Sequence, residues 1–200
     1  MPQSMINKQF LKEEDLVNDS FRLAIKIFNS GFRPNVVVGL WRGGSTVGIY
    51  VQECLQYLGV ETDHIAIRTS YSGAPDYAEM VRNSGQRIRV HGTQYLLENL
   101  NVDDRLLLVD DVYGSGKTLD VVKSRLKKRL KRNMPKDTRS ATIWTRVSEK
   151  RECKRKPDFS LHETSNWLVM PYELTGLTEE EIKEHKPGVA KLLRTGRNKS

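Results

Sequence analysis

Residues 106–118 read Leu106-Leu107-Leu108-Val109-Asp110-Asp111-Val112-Tyr113-Gly114-Ser115-Gly116-Lys117-Thr118. An unbroken apolar run ending in two adjacent carboxylates predicts a parallel strand buried on both faces, and open α/β sheets bind their ligands at the carboxyl ends of such strands. Asp110 and Asp111 therefore fall at a ligand edge. Beyond them, Gly114 and Gly116 let the backbone approach a ligand closely, the Ser115 and Thr118 hydroxyls add donors, and the free amides of the helix that follows favour an anion. The loop suits a phosphate. The carboxylates just before it can hold ribose hydroxyls or Mg²⁺, so the whole stretch fits a sugar that carries a phosphate.

Two other readings of the loop are weaker. A Walker A loop requires glycine where Asp111 stands, so the nucleotide-triphosphate P-loop fails on spacing. Acids that merely cap the next helix are common, but that role leaves two glycines and two hydroxyls unexplained.

Outward from this stretch the chain alternates strand and helix. Leu16, Val17, Phe21, Ile25 and Phe28 recur at helical spacing and Gly31 follows as a C′ residue, which predicts a helix over 13–29. A strand at 36–40 leads through Arg42-Gly43-Gly44 into a helix near 46–58 closed by Gly59, and a second strand follows at 64–68. Residues 69–86 carry Ser, Gly, Pro and Asn without periodicity and read as a long loop, which in a compact domain usually has a function. Strands near 86–90, at 106–109 and at 140–146, with a helix from 117 to about 132, complete a parallel sheet. Residues 147–177 read as irregular.

These segments resemble the type I phosphoribosyltransferases, whose phosphoribosyl-pyrophosphate (PRPP) motif is an apolar strand, two acids and a Gly/Thr-rich loop. Val36-Val37-Val38-Gly39-Leu40-Trp41-Arg42-Gly43-Gly44 looks like the family's first strand and pyrophosphate loop, with Arg42 in the basic position. Ser70-Tyr71 looks like the start of the loop that closes over the reacting centre. Trp167-Leu168-Val169-Met170-Pro171-Tyr172-Glu173 is similar to the hood of the bacterial xanthine-guanine enzymes, in which an aromatic stacks on the base. Four segments in the family's order span about residues 36–173.

The resemblance implies an α/β, doubly wound and mostly parallel sheet with helices on both faces and a small C-terminal hood. It implies a single domain over 1–200, with a core at about 31–146, a hood at about 147–177 and a tail at 178–200. Transfer of a phosphoribosyl group breaks the C1–pyrophosphate bond, so positive charge grows on the sugar and negative charge on the leaving group. Arg42, Gly43 and Gly44 would hold the departing pyrophosphate, a preorganised electrostatic effect. Asp110 and Asp111 would orient ribose hydroxyls or Mg²⁺, one facing the sugar while the other anchors the loop. Tyr113, Gly114, Ser115, Gly116, Lys117 and Thr118 would cradle the 5′-phosphate, and Ser70 and Tyr71 would exclude water. Trp167 and Leu168 would meet the base, and Glu173 would join the metal.

By the same resemblance, Arg146 ends the strand that reads the 6-oxo group of purines. A cationic donor there favours hypoxanthine, guanine or xanthine over adenine, whose amino group would leave two donors facing each other. Gly114 departs from the pattern, because oxopurine enzymes carry an Asp there to handle the proton at N7. The expected partners are thus PRPP and a purine base, in a homodimer or homotetramer. A regulator of the same fold that senses PRPP and binds nucleic acid is the alternative reading.

The formal net charge of +8 is uneven, since residues 123–136 hold eight Lys or Arg and no acid. Leu119, Val122, Leu126 and Leu130 mark the buried stripe of that helix. With no aromatic residues interleaved for stacking, the basic face reads as solvated and not as a nucleic-acid surface. No apolar run approaches the roughly 20 residues that span a bilayer, and the N-terminus lacks a signal-peptide core, so a cytoplasmic protein is expected. Cys54 and Cys153 are isolated and receive no role. Residues 178–200 read as a short helix and a frayed tail without a functional assignment.

Overall fold

A computed structural model of the chain describes residues 7–71, 88–147 and 156–197. The acid-bearing stretch is strand β5, Arg105–Tyr113, inside a six-stranded sheet. The sheet runs β4-β3-β2-β5-β6-β7, with β2 at Val36–Trp41, β3 at Asp63–Tyr71, β4 at Ile88–His91, β6 at Asp137–Arg146 and β7 at Phe159–Thr164. All neighbours pair in parallel except β4, which runs antiparallel to β3.

Apolar residues on successive positions of β5 serve two cores, because strand side chains alternate between faces. Leu107 and Val109 join Val47, Val51 and Leu55 of α2 (Gly43–Tyr57) and Leu23 and Ile27 of α1 (Glu13–Asn29). Leu106 and Leu108 join Leu96 of α3 (Gln94–Asn99) and Leu119, Val122 and Leu126 of α4 (Lys117–Leu130). Helices therefore cover both faces, as expected. Gly31 and Gly59 follow α1 and α2 with φ of +82° and +81°, the left-handed geometry that closes a helix and favours glycine.

The expected elements differ from the observed ones at several places. Within 147–177, read as irregular, β7 extends the main sheet as an edge strand; Ser160, Leu161 and His162 are only half-buried there, which blurs an alternating pattern. Strand β1, Lys8–Phe10, pairs in parallel with β8, Trp167–Val169, so the hood is built from both ends of the chain. Three-residue strands and the six-residue α3 are too short to carry periodicity. Strand β3 continues to Tyr71, beyond the expected end at 68. The tail forms α5, Glu179–His185, and α6, Pro187–Arg197.

Candidate active site

Strand β2 connects through α2 to β3 on one side, while its other neighbour, β5, arrives later in the chain. The sheet thus changes direction between β2 and β5, and the crevice at their carboxyl ends is where such a sheet binds ligands. Pairing of β2 with β5 stops at Gly39–Val109, and the two strands then part to admit the turn that starts α2. That turn is Arg42-Gly43-Gly44, entered through a cis Trp41–Arg42 peptide.

The turn and the acids are in direct contact. A Cβ on Gly44 would lie 2.8 Å from the Asp110 Cα, and one on Gly43 would overlap the Asp111 carboxylate and the Tyr172 hydroxyl. Any side chain at either glycine would displace the acids, so the Arg42-Gly43-Gly44 turn and the Asp110-Asp111 pair form one cluster. The two carboxylates diverge. Asp110 Oδ1 accepts the Asp111 N–H at 3.0 Å, whereas Asp111 Oδ1 accepts the Val112 N–H at 2.7 Å and Oδ2 accepts the Tyr172 hydroxyl at 2.7 Å. Burial and the adjacent Asp111 charge push the Asp110 carboxyl well above its usual range. Burial and Asp111 likewise push the Tyr172 phenol up, which keeps its hydroxyl a donor.

After β5 the loop turns at Gly116, which has φ +83° and serves as the N-cap of α4 without a side chain of its own. The Ser115 hydroxyl accepts the Lys117 N–H at 3.4 Å, tying the loop to the first turn. Gly114 stands in open space: a Cβ added to it would have no heavy atom within 4 Å, and its φ is not left-handed. Tyr113 is 4% exposed and belongs to the core cluster of Leu119 and Val122, which leaves its backbone at the start of the loop.

Arg146 and Trp167, the expected base-binding residues, meet. The Arg146 guanidinium carbon lies 4.8 Å from the centre of the Trp167 ring, a cation–π contact between the end of β6 and the start of β8. The Leu168 side chain is 5% exposed and belongs to the core that includes Leu16 and Leu23 of α1, so its backbone is the part at the strand's surface. Ser70 stands two positions past Arg68, the partner of the last residue of β2, and its hydroxyl lies 3.0 Å from His91 Nε2. Tyr71 closes β3 opposite Ile88. Its side chain, the rest of the expected lid and Cys153 lie outside the described residues.

Glu173 faces the Arg42-Gly43-Gly44 turn. One of its oxygens lies 3.5 Å from Arg42 Nη2 and the other accepts the Met170 N–H at 3.0 Å. Burial raises the Glu173 carboxyl, opposed by that N–H and by Arg42 and Lys186. Asp110, Asp111 and Glu173 offer hard oxygen donors that suit Mg²⁺, an ion held by few protein carboxylates together with substrate oxygens. Among the described residues, no cluster of three or more His, Cys, Asp or Glu forms a metal cage of its own. Sequence reasoning missed Tyr172 as the partner of Asp111; its only signal was adjacency to Glu173. A groove of about 700 Å³ lined by Asn35, Gln56, Thr62 and Asp63 lies at the opposite, amino edge of the sheet, away from this chemistry.

The chain matches the phosphoribosyl transferase domain family over residues 7–175. It belongs to that family. Solved structures of similar fold include a purine phosphoribosyltransferase from Pyrococcus horikoshii, 23% identical, covering 86% of this chain and 97% of that one with a TM-score of 0.63. A Helicobacter pylori xanthine-guanine-hypoxanthine phosphoribosyltransferase is 18% identical over 89% and 99% of the two chains, with a TM-score of 0.61. A hypothetical protein from Neisseria gonorrhoeae, solved with bound ppGpp, is 17% identical over 95% and 99%, with a TM-score of 0.69. No curated protein sequence matches the chain.

Proposed function

We propose that this phosphoribosyltransferase moves the 5-phosphoribosyl group from PRPP to a 6-oxopurine, giving the 5′-mononucleotide and pyrophosphate in purine salvage. The observation that carries the reading is the contact of Gly43 and Gly44 with Asp111 and Asp110. It joins a pyrophosphate loop to sugar-binding acids at the sheet's ligand crevice. The amides of Gly43 and Gly44 and the Arg42 guanidinium stabilise the departing charge. Asp111, held by the Tyr172 hydroxyl, is the acid placed to oppose the cationic sugar. Asp110, Asp111 and Glu173 would hold Mg²⁺ together with substrate oxygens, and the ion would supply neutralisation of pyrophosphate charge. Gly114, Ser115, Gly116, Lys117 and Thr118 receive the 5′-phosphate at the amino end of α4. Trp167 stacks on the purine and Arg146 donates to its O6, which excludes adenine. Ser70 and Tyr71 begin the lid.

The test is a screen of nucleobases with PRPP and Mg²⁺, following pyrophosphate release. Hypoxanthine, guanine or xanthine should turn over and adenine should be poor; equal use of adenine sinks the oxopurine assignment. A second reading, a PRPP-sensing regulator that binds nucleic acid, draws on Gly114 in place of the usual acid and on the exposed cations of α4. Tight PRPP binding without turnover of any base would favour it. Because the Neisseria neighbour holds ppGpp, a guanine nucleotide bearing pyrophosphate, the same assay should include ppGpp as a competitor of both PRPP and base.

A further inference from the structure

The tail beyond residue 177, which carries no motif, seats itself on the N-terminal strand. Helix α5 begins at a capping box in which Glu181 Oε2 accepts the Thr178 N–H at 2.8 Å and the Thr178 hydroxyl accepts the Glu181 N–H at 3.2 Å. The other oxygen of Glu181 accepts from Lys8 Nζ at 2.6 Å, and the His185 ring stacks on Phe10 with centroids 3.7 Å apart. Since β1 pairs with β8, α5 is fixed to the same two-stranded sheet that leads into the Met170–Glu173 turn. Lys186, at the end of α5, points its ammonium into that turn. Its Nζ donates to the Met170 carbonyl at 3.0 Å and to the Pro171 carbonyl at 2.6 Å.

The turn itself has two outputs, and both land on the sugar-phosphate site. Tyr172 donates to Asp111, and Glu173 sits 3.5 Å from Arg42. Inside the turn, the Met170 carbonyl also accepts the Glu173 N–H at 3.0 Å, while Glu173 accepts the Met170 N–H. No strand neighbour pairs with residues 170–173 among the described residues, so beyond the burial of Met170 in the core the turn is held by these few bonds and by Lys186. We infer that Lys186 is a positioning residue for PRPP: it clamps the 170–173 turn so that Tyr172 and Glu173 hold Asp111 and Arg42 in place. The inference rests on the transferase reading above, and it gives the C-terminal helices a task in catalysis.

Because both outputs reach the PRPP half of the site and neither reaches Arg146 or Trp167, loss of Lys186 should separate the two substrates. Lys186→Met is expected to raise the KM for PRPP about tenfold, the cost of one charge-assisted hydrogen-bonding group, and to leave the KM for the oxopurine within about twofold. Lys186→Arg, whose guanidinium can serve both carbonyls, should return the PRPP KM to within about threefold of wild type. Calorimetric titration with Mg²⁺ and PRPP gives the same comparison without turnover. A folded Lys186→Met protein with a wild-type PRPP KM overturns the inference, as does an equal rise in both KM values that Arg does not rescue. Where the Met protein does not fold, Lys186→Gln, which keeps a donor without the charge, is measured instead and the same substrate split is required of it. Wild-type protein that fails to bind PRPP would refute the transferase reading itself and this role with it. Binding in wild type that survives in Lys186→Met refutes the role alone.

Discussion

Asp110 and Asp111 are neighbours in sequence with different hydrogen-bond partners, and single substitutions test the role proposed for each. Asp111→Asn keeps the shape but removes the charge proposed to face the sugar and one of the two oxygens that accept from Val112 and Tyr172, so turnover should fall about 10²–10³-fold, the range for losing one preorganised electrostatic group. Near-normal turnover with an intact fold would remove Asp111 from the site. Asp110 behaves differently with pH. Its raised carboxyl means that the folded chain binds a proton the unfolded chain has released, so stability falls as pH rises above the ordinary carboxylate range. Asp110→Asn should flatten that slope; denaturant melts at about pH 5 and about pH 7 compare the two proteins, and parallel slopes would contradict it. At Gly114 the space is open and φ is not left-handed, so Gly114→Asp should fold and bind PRPP normally. Its expected effect is a steeper pH dependence of turnover, with a gain for hypoxanthine below the ~10²–10⁴-fold of an evolved base. An unchanged pH profile in that variant would mean that proton removal at N7 does not limit the rate.

Elements place these residues because each ends where the sheet needs it to end. Strand β5 is apolar through Val109 because Leu106, Leu107, Leu108 and Val109 are fully buried between helix layers, and it turns polar at the residue where its pairing with β2 stops. Leu107→Ala should therefore cost about 2–5 kcal/mol in denaturant unfolding, without a selective effect on either substrate in protein that remains folded. Strand β6 ends at Arg146 over the Trp167 ring. Arg146→Ala should weaken oxopurine use by about 1.5–3 kcal/mol and leave PRPP binding in place, because the side chain is assigned to the base alone. An equal loss of PRPP affinity would show the assignment to be wrong.

Across the whole molecule, charge is segregated. Removing the eight cations of residues 123–136 from the 33 Lys and Arg leaves 25, equal to the Asp and Glu, so this one segment carries the entire net charge. Lys127, Lys128 and Arg129 are exposed on the last turn of α4, far along the helix from the loop at its start. Replacing those three with Ser should leave kcat unchanged, and any fall in kcat/KM for PRPP should vanish at high salt, the signature of long-range attraction. A loss of kcat that salt does not alter would place the segment in the chemistry. Among the described residues no helix is long and apolar enough to cross a membrane.

The amino-acid sequence by itself determined the parts that are local. The apolar run of β5, the acid pair, the glycines of both loops and the Leu stripe of α4 each encode their structure within a dozen residues, through burial period and backbone freedom. Arg42 and Glu173 could each be singled out as candidates from a short motif that resembles the family's. Their pairing could not, because it joins positions 131 residues apart in sequence through a fold. Strand β1 against β8, Tyr172 on Asp111 and Lys186 under the 170–173 turn are contacts of this second kind. So are the core placements of Tyr113 and Leu168, where motif position pointed to a ligand and packing turned the side chain inward. Tertiary structure decided these because one hydrogen bond or one ring contact leaves no periodic trace in the chain; only the sheet that gathers the strand ends brings its partners within reach.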